Sequence, residues 1–267
     1  GDLTARGVSP SSVGDALPRV DLTFSTISVA VGWVHTCVLT DEARVMCWGW
    51  AGSGRLGYED TEDRGDEPGE MNTNLPTINF GTDIPVVELK AGFDKTCARF
   101  DNGEVKCWGS AGLGYEDTTD RGDTANTMGD RLPAIQLGSL RSASQIVVGS
   151  RKACAALDND ILKCWGHDYY FNYYVGISPS SMGNFLDGWD VFPTTVTTTV
   201  VDLHTCLGAD HTCVIMAPNG AMKCFGKNDY GQLGTGDIAA RGDLSEEMGN
   251  GLPVIDLGLE SAGVQCC

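Results

Sequence analysis

The feature that most constrains this chain is a four-fold internal repeat that carries its own cysteine pair. Each copy opens on Gly, reaches a Thr/Ala-Cys dipeptide, and after nine or ten intervening residues returns at Cys-Trp/Phe-Gly. That signature falls at Cys47-Trp48-Gly49, Cys107-Trp108-Gly109, Cys164-Trp165-Gly166 and Cys224-Phe225-Gly226, at steps of 60, 57 and 60 residues. A Gly-rich loop follows, then Met-Gly-x-x-Leu-Pro and a short apolar segment. A fixed period of this length means stacked or radially arranged supersecondary units, each too small to bury its own apolar face.

The second copy shows how one unit is built. Val86–Gly92 reads as a first strand, Lys95–Phe100 as a second and Glu104–Trp108 as a third. Asp101-Asn102-Gly103 forms a three-residue hairpin loop with Gly placed for a left-handed conformation. Residue 100 then faces 104, so Cys97 faces Cys107, and facing Cα atoms of an antiparallel pair lie within disulfide range. Asp41-Glu42-Ala43 and Asp158-Asn159-Asp160 set Cys37 against Cys47 and Cys154 against Cys164 in the same way. In the fourth copy one extra residue in Ala217-Pro218-Asn219-Gly220 restores the opposition of Cys213 and Cys224. Each bridge closes a short loop and is worth about 2–3 kcal/mol, mostly by fixing hairpin register.

The copies end on Leu75–Phe80, Leu132–Leu137 and Leu252–Leu257, whose alternation predicts a half-buried fourth strand with Pro near its start. The predicted fold class is therefore all-β, with propeller-type blades of about four antiparallel strands. The third copy departs from the pattern. Its His167–Tyr174 loop and the Phe185–Val200 stretch bring extra aromatic residues, which read either as a contact surface or as local repair of a degenerate unit.

The formal charge is −18 and the sequence pI about 4.4. Phosphate binding needs basic stripes, so nucleic acid is excluded as an expected partner. No apolar run is long enough to span a bilayer as a helix. Regular cysteine pairs with nine or ten residues between them suit disulfides better than zinc, whose ligand pairs are usually much closer. Disulfides imply an oxidising compartment, here extracellular or cell-surface. No secretory leader pattern opens the chain, which reads as mature or as a fragment.

The run Gly32-x-x-His35-Thr36-Cys37-Val38-Leu39, then Val45-Met46-Cys47-Trp48-Gly49 and Gly54-x-Leu56-Gly57, resembles the regulator of chromosome condensation repeat. Gly208-Ala209-Asp210-His211-Thr212-Cys213-Val214 and Lys223–Gly234 match it as closely. Members of that superfamily form β-propellers and include a nuclear exchange factor for a small GTPase and secreted β-lactamase inhibitors. The resemblance implies blades and protein-binding surfaces. Acidity and bridged hairpins do not carry nucleotide exchange over, and the seven-bladed members need more repeats than occur here.

The ends are out of phase. Gly1–Gly7 aligns with Gly236–Gly242 and Leu17–Leu22 with Leu252–Leu257, an offset of 235 residues. Residues 1–28 read as a partial repeat, followed by repeats at 29–85, 86–143, 144–200 and 201–258, with 259–267 starting another. Simple ring closure would duplicate the final segment, so an open or incomplete propeller is expected: a piece of a longer array, or copies joined head to tail. Cys206 with one of Cys266 and Cys267 could bridge adjacent first strands. The other, Cys267 where Cys266 forms the bridge, is then a candidate for an intermolecular bond.

Other motifs weigh less. Arg-Gly-Asp occurs at Arg64, Arg121 and Arg241 and resembles the integrin adhesion motif. Its recurrence at one place in each copy suggests a structural loop with an internal Arg–carboxylate pair. The acidic loops Glu59–Asp63 and Glu116–Asp120 offer oxygen ligands for calcium but lack an established loop spacing. No cofactor or protein-held metal is expected otherwise. His35 and His211 read as strand residues with satisfied hydrogen bonds. Ser9-Pro10, Ser178-Pro179 and Thr194-Thr195 are candidate positions for O-linked sugars. No nucleophile–base arrangement stands out, and the paired cysteines are unavailable as nucleophiles. The sequence thus points to a non-catalytic extracellular structural repeat protein, a subunit of a cell-surface filament or matrix that associates with neighbouring copies or flanking repeats. The alternative is a secreted protein-binding propeller, an inhibitor or adhesion module.

Overall fold

The computed structural model describes residues 2–4, 14–22, 24–159, 162–168, 173–175, 211–216, 221–242, 247 and 251–256 of the 267. Among the described residues the regular structure is β, with only short 3-10 turns beside it. The first sheet holds β1 (Thr26–Val31), β2 (His35–Thr40) and β3 (Val45–Gly49). The second holds β4 (Val86–Ala91), β5 (Lys95–Phe100) and β6 (Val105–Gly109). The third runs through β7 (Ala143–Val148), β8 (Lys152–Leu157), β9 (Leu162–Asp168) and β10 (Tyr173–Val175). A fourth pairs β11 (His211–Met216) with β12 (Ala221–Gly226). All pairings are antiparallel, and neighbouring strands follow one another in the chain.

The hairpins set the register. Cys37 pairs with Cys47, Cys97 with Cys107, Cys154 with Cys164 and Cys213 with Cys224. Gly103 takes φ +80° at the turn of the second sheet, while Ala43 takes the equivalent left-handed place in the first at φ +58°. The first-to-second strand ladder shifts register between Thr26 and Ser28, Val86 and Glu88, and Ala143 and Gln145. The same irregularity thus recurs in three units.

The fourth strand expected at Leu75–Phe80 and its equivalents is not formed. The segment touches the third strand through a single backbone bond, Ile78 N–H to Val45 O at 2.8 Å, repeated as Ile135 to Val105 and Ile255 to Met222. The reason is that another group already occupies the edge. The Tyr58 hydroxyl accepts from Cys47 N–H at 2.9 Å and lies 3.0 Å from Cys47 O and 2.9 Å from Pro76 O. The Tyr115 hydroxyl makes the same two contacts with the backbone of Cys107. One phenol thus satisfies the backbone groups that a further strand would have paired. Among the described residues only the third sheet has four strands, and its fourth, β10, comes from the loop that departs from the repeat.

The core lies between consecutive sheets. Each sheet has a leading face toward the next and a trailing face toward the one before. Ala30, Cys37, Leu39, Val45 and Cys47 on the first leading face pack with Leu89, Ala98, Phe100 and Trp108 on the second trailing face. Cys97, Val105 and Cys107 meet Ile146, Ala153, Ala155, Leu157 and Trp165. Val147, Cys154, Ala156 and Leu162 meet Val214 and Phe225. The sequence alternation is therefore two-sided in the second and third sheets, each of which is sandwiched between two neighbours.

Candidate protein-binding face

The described cysteine pairs are joined: Cys37–Cys47, Cys97–Cys107, Cys154–Cys164 and Cys213–Cys224, with Cα separations of 4.1, 4.1, 4.0 and 4.1 Å. All four lie on leading faces, so the next sheet covers the first three bridges. Cys206, Cys266 and Cys267, and the candidate sugar positions Ser9, Pro10, Ser178, Pro179, Thr194 and Thr195, lie outside the described residues. So does most of the aromatic-rich stretch of the third copy.

The three described Arg-Gly-Asp arginines are tied within their own loops. Arg64 forms two parallel bonds to Asp60, at 2.9 and 2.8 Å, and its guanidinium lies 4.3 Å from the Tyr58 ring centroid. Arg121 holds Asp117 at 3.0 and 2.8 Å over Tyr115, and Arg241 holds Asp237 at 3.0 and 2.7 Å. Bidentate hydrogen bonding from Arg64 holds the Asp60 carboxyl below its ordinary range. The following Gly N–H is capped in turn, Gly65 by Glu70, Gly122 by Thr127 and Gly242 by Glu247. The oxygens considered for calcium are thus committed to arginine at Asp60 and Asp117. Among the described residues no group of three or more His, Cys, Asp or Glu side chains is placed to hold a metal ion.

A concavity of about 470 Å³ between Tyr58, Arg64, Pro76, Met128 and Arg131 lies beside these loops. Its Arg64 and Tyr58 are already engaged, to Asp60 and to the Cys47 backbone.

A different surface has uncommitted apolar groups. It is built by the turns after the first strands, Gly32–Val34, Gly92–Asp94 and Gly149–Arg151, and by the loop after β3. The turns sit so close that a Cβ on Gly32 would overlap the Gly92 carbonyl, and one on Gly92 the Gly149 carbonyl. This proximity stacks Trp33 on Phe93, with centroids 4.1 Å apart and planes inclined by 15°. Trp33 remains 64% exposed. Beside it Trp50, 48% exposed, carries the Arg55 guanidinium 4.2 Å above its ring.

Buried charge supports this face from below. Arg55 donates to Gly52 O at 2.7 Å and Phe93 O at 3.3 Å. Lys95, wholly buried, donates to Ala111 O, Gly112 O and Arg151 O at 3.1, 3.3 and 3.0 Å. Burial lowers its pKa to about 8, and burial raises that of Asp94 against the pull of Lys95 and Arg151. His35 shares a 2.9 Å hydrogen bond with Thr96 through Nε2, while its buried Nδ1 has no partner among the described residues. The expectation of a fully satisfied histidine is therefore met at one nitrogen only.

Sequence reasoning missed Trp33, Phe93, Trp50, Arg55 and Lys95. One signal was present: Trp33 and Phe93 occupy the same place, directly after the opening Gly of successive copies.

The Regulator of chromosome condensation (RCC1) repeat family model matches residues 27–55 and 203–232. The ultraviolet-B receptor UVR8 of Arabidopsis thaliana is 26% identical over 219 residues, covering 79% of this chain and 44% of the receptor. The chain therefore spans less than half of that relative. Human WBSCR16 superposes with TM-score 0.64 at 16% identity, over 92% of this chain and 56% of that one. Prp20p of Saccharomyces cerevisiae superposes with TM-score 0.58 at 21% identity, over 80% and 47%. In its repeat signature, its bridged three-stranded blades and these likenesses, the chain is similar to proteins of the regulator of chromosome condensation repeat superfamily.

Proposed function

We propose that this chain is a non-catalytic, protein-binding blade array of the cell exterior. It works there as a structural subunit, joining neighbouring copies or flanking repeats head to tail in a surface filament or matrix. The observation that carries protein binding is the exposed Trp33–Phe93 stack beside the Trp50–Arg55 pair. Aromatic and arginine side chains on a rigid support are the anchors that dominate protein interfaces. The scaffold has precedent in this use, since Prp20p has been studied for its binding to Gsp1p and histones. Four bridges support an oxidising setting. A net charge of −18 favours basic partner surfaces over nucleic acid.

Electron microscopy and non-reducing mass measurement of native material test the structural role, with filaments or covalent multimers expected. Cross-linking of the native protein tests the binding face. Trp33→Ala and Trp50→Ala are expected to lose the protein cross-links made at that face. A discrete monomer that captures one enzyme would favour the inhibitor alternative instead.

A further inference from the structure

The outer junction between units is closed by a side chain at one place and left open at the next. Residues 17–22 precede the first sheet as Leu75–Phe80 precede the second, so Asp21 and Asn79 are equivalent. Asn72, after Met71, and Gly129, after Met128, are equivalent too, and both take φ +61°. Asn72 Nδ2 reaches back across its junction to Asp21 Oδ2 at 2.9 Å. Glycine at the next junction has no side chain to do this. Gly129 N–H bonds to Asn79 O at 3.2 Å, and Asn79 Oδ1 accepts from Gly81 N–H. The Asn79 Nδ2 hydrogens have no partner among the described residues. A Cβ at Gly129 would lie 3.5 Å from that nitrogen.

The concavity of about 470 Å³ described above opens at this point, within the size range of small-ligand pockets. Its walls come from two consecutive units, so it is formed whatever adjoins the ends of the array. Thr77, Asn126 and Arg131 are exposed on those walls, and their side chains have no hydrogen-bond partner among the described residues. With Asn79 they set donors and acceptors side by side. Charge is balanced: Arg64 is paired with Asp60, and Arg131 is matched by Asp130 next to it. The cleft therefore has no cationic excess to hold phosphate or sulfate, which a chain of charge −18 repels. None of the exposed large apolar side chains lies on its walls, so it lacks the anchors of a protein interface. Hydroxyl groups, which both donate and accept, match this lining.

We infer that this cleft is a carbohydrate-binding site. It takes one or two neutral sugar residues, whose hydroxyls bond to Asn79, Thr77, Asn126 and Arg131. The inference is independent of the self-associating role and of the Trp33–Phe93 face.

The test is saturation-transfer NMR of the 267-residue chain with glucose, galactose, mannose, N-acetylglucosamine, lactose and cellobiose, alongside pull-down on insoluble cellulose and chitin. Binding of a free sugar would identify a small soluble ligand, and binding to the insoluble polymers alone a polysaccharide surface. In either arm Gly129→Asn and Arg131→Ala are each expected to weaken binding at least about tenfold. Gly129→Asn should keep a native melting curve, because Asn72 already holds that backbone angle, and its amide would close the cleft onto Asn79. Binding that is unchanged in both variants, no binding to any of these probes, or a preference for sulfated heparin over the neutral sugars would overturn the assignment.

Discussion

His35 Nε2 lies 2.9 Å from Thr96 Oγ1, a bond between side chains of the second strands of the first and second sheets. Thr96 Oγ1 is itself 3.3 Å from Arg55 O and donates its hydrogen there, so the histidine must donate from Nε2. Its Nδ1 is then bare, buried and without a partner. Protonation would place a second N–H where nothing accepts it. Burial, helped by the nearby Arg55 charge, lowers the His35 pKa from 6.5 to about 4.

The sign of the pH effect follows. Above pH 6.5 neither folded nor unfolded chain protonates this ring, and the group is neutral in its effect on stability. Between pH 6.5 and about 4 the unfolded chain takes up the proton and the folded chain does not, so stability falls with falling pH, by up to about 3 kcal/mol. Melting curves of wild type and His35→Gln across this window isolate the effect. The difference between the two should grow in the direction of wild-type loss as pH drops, and a constant difference would contradict it.

The second relationship concerns two cations that fill one place at successive junctions. Arg55 donates to Gly52 O, and Lys95 donates to Gly112 O, the carbonyl at the equivalent position one copy later. The second copy lacks three residues of the first loop, Ser53, Gly54 and Arg55, and Lys95 reaches the carbonyls from the strand instead. Lys95→Met leaves three carbonyls, that of Gly112 buried, without that donor and is expected to cost about 2–3 kcal/mol in urea unfolding. A loss under 0.5 kcal/mol, the ordinary scatter of a surface substitution, would show that the carbonyls find other donors.

Tyr58 explains why much of the fold was legible in sequence and part was not. The repeat period, the hairpin turns and the opposition of Cys97 to Cys107 follow from loop lengths, which are local. The outer edge is not local. Leu75–Phe80 alternates like a strand, but the competitor for its hydrogen bonds is a phenol eighteen residues before Pro76, and alternation carries no trace of it. The Trp33–Phe93 stack escaped the sequence for a similar reason. Trp33 and Phe93 are sixty residues apart, and only the close approach of Gly32 and Gly92 brings them together. Tyr58→Phe is expected to lower stability by about 1.5–3 kcal/mol, since the freed Cys47 N–H is buried. Amide exchange at Cys47 should quicken, and unchanged exchange there would count against the role given to the phenol.

Backbone strain gives a stabilising substitution. Ala43 holds φ +58° at the hairpin position where the second copy has Gly103 at φ +80°. An alanine in that region costs about 1–2 kcal/mol, part of which glycine gives back through its greater unfolded freedom. Ala43→Gly should therefore raise stability by about 0.5–1 kcal/mol. Gly103→Ala should lower it by more, because its Cβ would also run into Ser142. Paired denaturation midpoints decide the matter, and opposite signs are the required result.

Burial of the bridges sets their order of reduction. Thiol–disulfide exchange needs an attacking thiolate to reach a sulfur, so access governs rate when the bonds are otherwise alike. Cys37, Cys47, Cys97 and Cys107 are completely buried, each pair beneath the following sheet. Cys213 is half-buried on the leading face of the last described pair. Mild reductant applied to the native chain, followed by alkylation and peptide mass analysis, should label Cys213 and Cys224 first. Cys37–Cys47 and Cys97–Cys107 should resist until the sheets separate. Equal rates at all four bridges would mean that sheet-to-sheet packing does not shield the sulfurs.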